Sequence, residues 1–434
     1  MDSTAFLTDH YELTMVQAAL ASGQAHRHSV FELFGRRLPA GRRYGVVAGT
    51  GRVLDAVEAF RFDETQLRFL SEHQVVDART REWLASYAFT GNLWGYGEGE
   101  VYFPGSPLLV VESSFAEAVV LETMLLSILN FDSAVASAAS RVITAAEGRP
   151  CIEMGSRRTH ELSAVAAARA AYIAGFDTTS NLQAGQQYGV PTRGTAAHSF
   201  TLLHDTERDA FVAQVESLGR DTTLLVDTYD ITEAVRAAVD IAGPDLGAVR
   251  IDSGDLGVLA RQVRAQLDAL GATKTRIVVT GDLDEFAVAG LAAAPVDGYG
   301  VGTSLVTGSG HPTCGFVYKL VSRAASTSPD GPMVAVAKRS TDKISIGGRK
   351  WALRRRDSAG VAETEVVGID QEPVDDGNDR PLLRALVRDG EIVGREPLLA
   401  ARERHRAALA ELPVESRKLS RGEPAIETEY VGRR

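Results

Sequence analysis

Ala248-Val249-Arg250-Ile251-Asp252-Ser253-Gly254-Asp255, then Leu256, Leu259, Val263, Leu267 and Leu270, then Arg276-Ile277-Val278-Val279-Thr280, is the stretch on which the fold turns. A short apolar run predicts a buried strand, and the acid, serine and glycine after it end that strand. Apolar residues stepping by three and four then mark one face of an amphipathic helix. A second β-branched run completes a strand–loop–helix–strand unit, whose connection makes the two strands parallel.

The same alternation extends outward in both directions. Strands are predicted at Cys151–Met154, Thr223–Val226 and Val296–Tyr299, and helices at Phe115–Leu129 and Glu161–Ala174. A series of βα units closes into a barrel or lies open as a doubly wound sheet, and the local signature is the same for both. Before it, Thr8-Asp9 caps a short helix carrying Leu13, Val16 and Leu20, and strand-like runs follow at Val30–Phe34, Tyr44–Ala48 and Val101–Val111. Beyond it, Ser326-Thr327-Ser328-Pro329-Asp330-Gly331-Pro332 reads as a boundary loop. Strands at Val334–Ala337, Trp351–Arg354 and Glu363–Val367 and a charged helix near Leu398–Leu412 follow it. The expected architecture is α/β: an irregular (β/α) barrel over residues 115–328, with a second α/β domain built from the N-terminal segment 1–114 and the C-terminal segment 329–434.

Length and composition bound the function. The 434 residues allow two to three domains, and a net charge of −11 argues against non-specific nucleic-acid or anionic-membrane binding. Two distant cysteines make neither a disulfide framework nor a zinc site, so a reducing, cytoplasmic setting is expected. Asp2, Asp9, His10 and Glu12 break any signal-like N-terminus, and no run of about 18 apolar residues is evident to cross a bilayer.

Barrel enzymes place their chemistry where strands end, and here those ends are rich in polar residues. Arg157-Arg158, Thr179-Ser180-Asn181, His198, Asp227-Thr228-Tyr229, Arg250 with Asp252, Gly281-Asp282 and Gly300-Val301-Gly302-Thr303 all follow predicted strands or turns. Arginine clamps carboxylates and phosphates bidentately, and free backbone N–H groups in a glycine-rich turn bind anions. A carboxylate at Asp282 suits ribose hydroxyls or Mg²⁺. Taken singly, the glycine turn is equally a tight turn, the arginines a solvated pair, and one histidine of nine a structural one. Together they describe a barrel enzyme for a phosphorylated, hydroxyl-rich ligand.

In order, Thr8-Asp9-His10-Tyr11-Glu12-Leu13-Thr14-Met15, Phe31-Glu32-Leu33-Phe34, Glu153-Met154-Gly155-Ser156-Arg157-Arg158, Thr179-Ser180-Asn181, Gly194-Thr195-Ala196-Ala197-His198-Ser199, Arg250-Ile251-Asp252-Ser253-Gly254-Asp255 and Gly300-Val301-Gly302-Thr303 resemble nicotinate phosphoribosyltransferases. The resemblance runs over nearly the whole chain. It implies the barrel of type II phosphoribosyltransferases and a head-to-tail homodimer with shared active sites. The implied reaction makes nicotinate mononucleotide and pyrophosphate from nicotinate and phosphoribosyl pyrophosphate, with Mg²⁺ and with ATP as co-substrate.

By motif, His198 corresponds to the transiently phosphorylated histidine, and Arg250 and Asp252 to the substrate-contacting pair. Gly281 and Asp282 match a ribose loop, and Gly300, Gly302 and Thr303 a 5′-phosphate loop. Tyr11 matches an aromatic residue stacking on the neighbouring subunit's pyridine ring, with Arg157 beside that ring. The motifs assign no metal ligands.

Two positions depart from the pattern. Ser345-Ile346-Gly347-Gly348-Arg349-Lys350 lacks a proline frequent in relatives, which leaves Lys343, Arg349 and Lys350 without a firm phosphate role, and Thr178 stands where glycine is frequent. The nearest rival is the nicotinamide-using enzyme, which carries an acid at the position of Ser180. Quinolinate phosphoribosyltransferase is much shorter and lacks the histidine loop, and a catalytically silent binding protein would show degraded loops.

Overall fold

The structure, a computed structural model, describes residues 3–327, 331–338 and 345–432. Lys343 and residues 328–330 of the expected boundary loop lie outside the described residues. The chain forms two compact units, Ala138–Gly310 and the pair Met1–Ser137 with His311–Arg434.

The unit of residues 138–310 holds a six-stranded sheet. Its strands are β1 (Cys151–Glu153), β2 (Thr178–Thr179), β3 (Thr223–Leu225), β4 (Ala248–Ile251), β5 (Arg276–Val279) and β6 (Gly298–Val301). All pairings are parallel. The spatial order is β2-β1-β6-β5-β4-β3. The last strand therefore pairs with the first, and the order is the cyclic one of a barrel, not the reversal of a doubly wound sheet. Among the described residues no ladder joins β2 to β3. β2 is only two residues long, and the connection after it carries three helices, Leu182–Tyr188, His198–Leu203 and Glu207–Leu218. This long insertion opens the barrel on that side.

Several elements differ from their sequence expectation. The last strand begins at Gly298 rather than Val296, which puts Gly300 inside the strand instead of in a turn. A Cβ on Gly300 would crowd the Met154 sulfur at 2.8 Å, so this glycine makes room for interior packing. Phe115–Leu129 is two helices, Phe115–Val119 and Glu122–Ala146. By length and composition the 32-residue stretch Phe115–Ala146 is apolar enough to cross a membrane, contrary to expectation, but 67% of its most apolar window is buried within the protein. The barrel unit is narrower than residues 115–328 at both ends. Leu121, Met124, Leu125, Ile128 and Leu129 belong to the core of the flanking unit. Phe316–Ala324 is a strand of the flanking sheet, paired antiparallel with His28–Gly35.

The flanking unit is built on an antiparallel seven-stranded sheet ordered Met333–Ala335, Phe316–Ala324, His28–Gly35, Pro107–Ser114, Asn92–Tyr96, Leu383–Arg388 and Glu391–Ile392. Val101–Val111, expected as one strand, is interrupted at Phe103-Pro104-Gly105-Ser106, where Gly105 takes a left-handed φ of +85°. Phe31 stacks on Tyr318 with ring centroids 4.9 Å apart. A four-stranded sheet carries Lys350–Arg356 and Ala362–Ile369 at its centre. The predicted helix at the N-terminus is His10–Ala21, with a capping box from Asp9 and Glu12 and with Leu13, Val16 and Leu20 buried.

The terminal helix Leu398–Glu411 buries His405, only 3% exposed, with its Nδ1 3.2 Å from the Gly99 carbonyl. Nδ1 therefore carries the proton in the neutral ring, and the buried Nε2 has no hydrogen-bond partner among the described residues. Protonating Nε2 would bury a charged N–H without an acceptor, and burial lowers the pKa to about 4. The unfolded chain takes up this proton near pH 6.5, so stability is complete above that pH and is lost as pH falls toward 4, at about 1.4 kcal/mol per unit. Denaturation midpoints between pH 7 and pH 5 should fall less steeply in His405→Gln than in the parent. Equal slopes would remove His405 as the cause.

Candidate active site

β4 ends by sending Arg250 and Asp252 to the same side, because side chains two apart on a strand share a face. The intervening Ile251 is fully buried. Asp252 is pinned from three directions. Its backbone N–H donates to Asp227 Oδ2 at 2.9 Å, its Oδ1 accepts from Thr280 Oγ1, and its Oδ2 lies 4.0 Å from His198 Nε2. The loop after β5 also packs here. Gly281 has φ +100°, and a Cβ there would run into the Asp252 carbonyl, so both conformation and space require glycine.

Asp227, just past β3, is the most deeply set group. Its side chain is 1% exposed. Oδ2 accepts from Asp252 N and from Ser253 Oγ at 2.7 Å, whereas Oδ1 accepts no hydrogen bond among the described residues and lies 3.8 Å from His198 Nε2.

His198 opens the helix His198–Leu203. Its Nδ1 lies 3.2 Å from Thr228 Oγ1, with Nε2 facing the two carboxylates. A neutral ring that donates from Nδ1 to the threonine leaves the Nε2 lone pair free as a nucleophile. The histidine is thus partly exposed yet held by hydrogen bonding, not locked in a core.

Arg250 Nη1 donates to Thr195 Oγ1 on the loop before this helix, and its buried Nε has no hydrogen-bond partner among the described residues. Burial lowers the Arg250 pKa, Asp252 and Asp227 oppose that shift, and the nearby charge of Arg157 adds to it. Arg157 is exposed in the short 3₁₀ turn Ser156–Arg158 after β1. Ser180 is exposed after β2, and its N–H donates to the Glu153 carbonyl at 2.8 Å. Asn181 ties these two loops together, donating from Nδ2 to Ser156 Oγ at 3.0 Å. Below them Glu153, 1% exposed, accepts from Thr179 Oγ1 and Gly155 N, and burial raises its pKa.

Asp282 is exposed, with an unusual φ of +40°. Gly302 and Thr303 begin the short helix Thr303–Val306 after β6. A Cβ on Gly302 would come within 3.3 Å of the Met154 carbonyl. Tyr11 belongs to the flanking unit, on the helix His10–Ala21, and is 47% exposed. Lys350 and Arg349 are committed within that unit. Lys350 is buried against Glu32, and Arg349 pairs with Glu112 at 2.8 Å and covers the Trp351 ring at 3.8 Å.

Asp227 and Thr228 belong to the strand-end motif Asp227-Thr228-Tyr229, which the sequence marks in the same way as Arg250 and Asp252 but without an individual role for either residue.

A family model for the nicotinate phosphoribosyltransferase N-terminal domain matches residues 6–130. A nicotinate phosphoribosyltransferase of Mycobacterium tuberculosis is 57% identical over 439 residues, covering 99% of this chain and 96% of the relative. One of Bacillus subtilis is 35% identical, covering 86% and 78%. The crystal structure of human nicotinic acid phosphoribosyltransferase superposes with a TM-score of 0.82 at 26% identity, covering 98% of this chain and 97% of that one.

Proposed function

The chain belongs to the nicotinate phosphoribosyltransferase family, and we propose that it joins nicotinate to phosphoribosyl pyrophosphate, giving nicotinate mononucleotide and pyrophosphate for NAD salvage, with ATP hydrolysed through His198. The observation that carries the proposal is the meeting of His198, Asp227, Arg250 and Asp252 at one end of a parallel barrel.

The chemistry asks for such a set. The pyridine nitrogen attacks C1 of the ribose with its lone pair, the C1–O bond to pyrophosphate breaks, and no proton need leave the nucleophile. Catalysis then rests on holding the reactants and stabilising charge. Asp252 faces the cation that develops on the ribose. Arg250 supplies positive charge for phosphate oxygens, and Arg157 with the Ser180 hydroxyl supplies donors for the nicotinate carboxylate. Gly281 and Asp282 hold the ribose, and Gly300, Gly302 and Thr303 line the 5′-phosphate.

For ATP, His198 Nε2 attacks the γ-phosphorus, the bond to the ADP oxygen breaks, and water later cleaves the N–P bond. A phosphoryl group on Nε2 would stand beside two carboxylates, a repulsion that calls for a cation. The site fits one: Asp227 Oδ1 is buried and accepts no hydrogen bond, and carboxylate oxygens are the ligands a hard divalent ion takes. Asp227 and Asp252 would hold Mg²⁺, which supplies charge neutralisation for the phosphates. We also propose a homodimer in which Tyr11, exposed in the flanking unit, serves the partner's site, and a cytoplasmic setting, which two buried free cysteines suit.

The test measures product from nicotinate and from nicotinamide, each with and without ATP. Nicotinate should be used far faster, and ATP should raise its rate. Equal use of both substrates would overturn the assignment of the acid, and indifference to ATP would overturn the coupling.

A further inference from the structure

One buried acid at the barrel end takes no part in the steps above. Glu153, the last residue of β1, is 1% exposed, and its two carboxylate oxygens are held by a hydroxyl and a backbone N–H, neither of them charged. Taking a carboxylate out of water without a cation beside it is costly, and a residue serving packing alone would be apolar. What the carboxylate holds accounts for its place.

Each oxygen fastens a different loop. Oε1 accepts from Gly155 N, across the turn that leads into Ser156–Arg158, and Arg158 N closes that turn on the Gly155 carbonyl at 2.8 Å. Oε2 accepts from Thr179 Oγ1. Thr179 is fully buried on β2, is the register partner of Glu153, and accepts at the same Oγ1 from Asn181 N at 2.9 Å. The Glu153 carbonyl takes the N–H of Ser180 between them. β2 needs this fastening. It is two residues long, stands at the end of the sheet, and pairs with β1 only through Ile152 with Thr178 and Glu153 with Thr179.

We propose that Glu153 is a positioning residue for substrate choice: without touching nicotinate, it sets the separation of the Arg157 turn from the Ser180 loop, and with it the preference for the acid over the amide. The inference rests on the reading that Arg157 and Ser180 serve the nicotinate carboxylate, and adds the group that holds them in register. A carboxylate offers two acceptors, one to each donor. Glutamine cannot do the same. Its oxygen must go to Gly155, whose N–H can only donate, so the bond to the Thr179 hydroxyl is reversed or lost.

Steady-state kinetics with nicotinate, nicotinamide and phosphoribosyl pyrophosphate varied in turn test this. Thr179→Val removes the hydroxyl at nearly constant shape, and Thr179→Ser keeps it. Glu153→Gln and Thr179→Val should each raise KM for nicotinate about tenfold, with kcat and the KM for phosphoribosyl pyrophosphate changed by less than about twofold. The kcat/KM for nicotinamide should hold, so the preference for the acid falls about tenfold, and Thr179→Ser should restore it. A merely structural Glu153 would lower the melting temperature and the kcat for both pyridines alike, and an unchanged preference in Glu153→Gln and Thr179→Val would overturn the proposal. If Glu153→Gln does not fold, the two Thr179 variants decide alone. Arg157→Ala and Ser180→Asp separate the proposal from the reading beneath it. If either abolishes the preference while the Glu153 and Thr179 variants keep it, the positioning role is wrong and the carboxylate reading stands. If none of these variants alters the preference, both are wrong.

Discussion

A His198→Ala protein is expected to release no phosphate from ATP while still forming nicotinate mononucleotide slowly, at one rate with or without ATP. In the proposed mechanism the nucleophile is the imidazole Nε2, which lies 3.8 Å from Asp227 and 4.0 Å from Asp252. Removing it takes away the covalent route to ATP cleavage, a loss of roughly three orders of magnitude or more, about 4 kcal/mol of barrier. In the proposed mechanism phosphoribosyl transfer needs no such nucleophile, so the roles assigned to Arg250, Asp252 and the phosphate loops are untouched. The fold should survive, because the side chain is 39% exposed and holds no core contact. Thr228→Ala offers a graded companion: without the Nδ1 partner the reactive tautomer is no longer held, and ATP cleavage should fall by less than in the alanine variant at 198. Radiolabel from γ-phosphate retained on His198→Ala protein, or ATP stimulation equal to the parent's, would place the phosphorylated residue elsewhere.

The barrel was legible because its strands are buried on both faces and read as short apolar runs between amphipathic helices. Ala248–Ile251 has the bounds expected for it, and Arg276–Val279 is one residue shorter. Closure was not legible, since barrel and open sheet share one local pattern, and only the pairing of Tyr299 with Cys151 distinguishes them. The unit boundaries were hidden for a related reason. Helix Glu122–Ala146 runs unbroken through one of them, and no turn residue marks where its packing changes.

Site residues divide in the same way. Arg250 and Asp252 announce themselves as charged residues alternating on a strand that should be apolar. Asp227 resembles them in sequence, but its importance lies in burial and in an oxygen without a donor, which only the folded chain reveals. Gly300 looked like part of a turn because Gly298, Gly300 and Gly302 alternate, and that spacing also fits a strand whose interior has no room for side chains. The flanking unit was read least completely. Asn92–Tyr96, with tryptophan and glycine in a five-residue run, gave no periodic signal, yet it pairs with Pro107–Ser114 in the middle of the seven-stranded sheet.

If the Ser180 side chain faces the nicotinate carboxylate as proposed, Ser180→Asp is expected to lower kcat/KM for nicotinate by roughly a hundredfold while nicotinamide use holds or rises. The acid and the amide differ only in the group at ring position 3, so preference comes from what lies against it. Ser180 is fixed by its N–H bond to the Glu153 carbonyl and by Asn181, which caps the helix Leu182–Tyr188 and reaches Ser156 next to Arg157. Its hydroxyl and Arg157 therefore offer a donor and a cation to a carboxylate from neighbouring loops. An aspartate there sets a second negative charge a few ångströms from the substrate's. At an effective dielectric near 20, two charges about 4 Å apart repel by about 4 kcal/mol. Solvent at this exposed site reduces that figure, and about 3 kcal/mol of lost transition-state stabilisation is roughly the hundredfold expected. An amide feels no such repulsion and can donate an N–H to the new carboxylate, so the two substrates should diverge in one variant. A Ser180→Asn control keeps the size without the charge and should cost nicotinate much less. Nicotinate activity within twofold of the parent in Ser180→Asp would mean that this side chain does not face the carboxylate, and selection of the acid would then have to come from Arg157 and its neighbours alone.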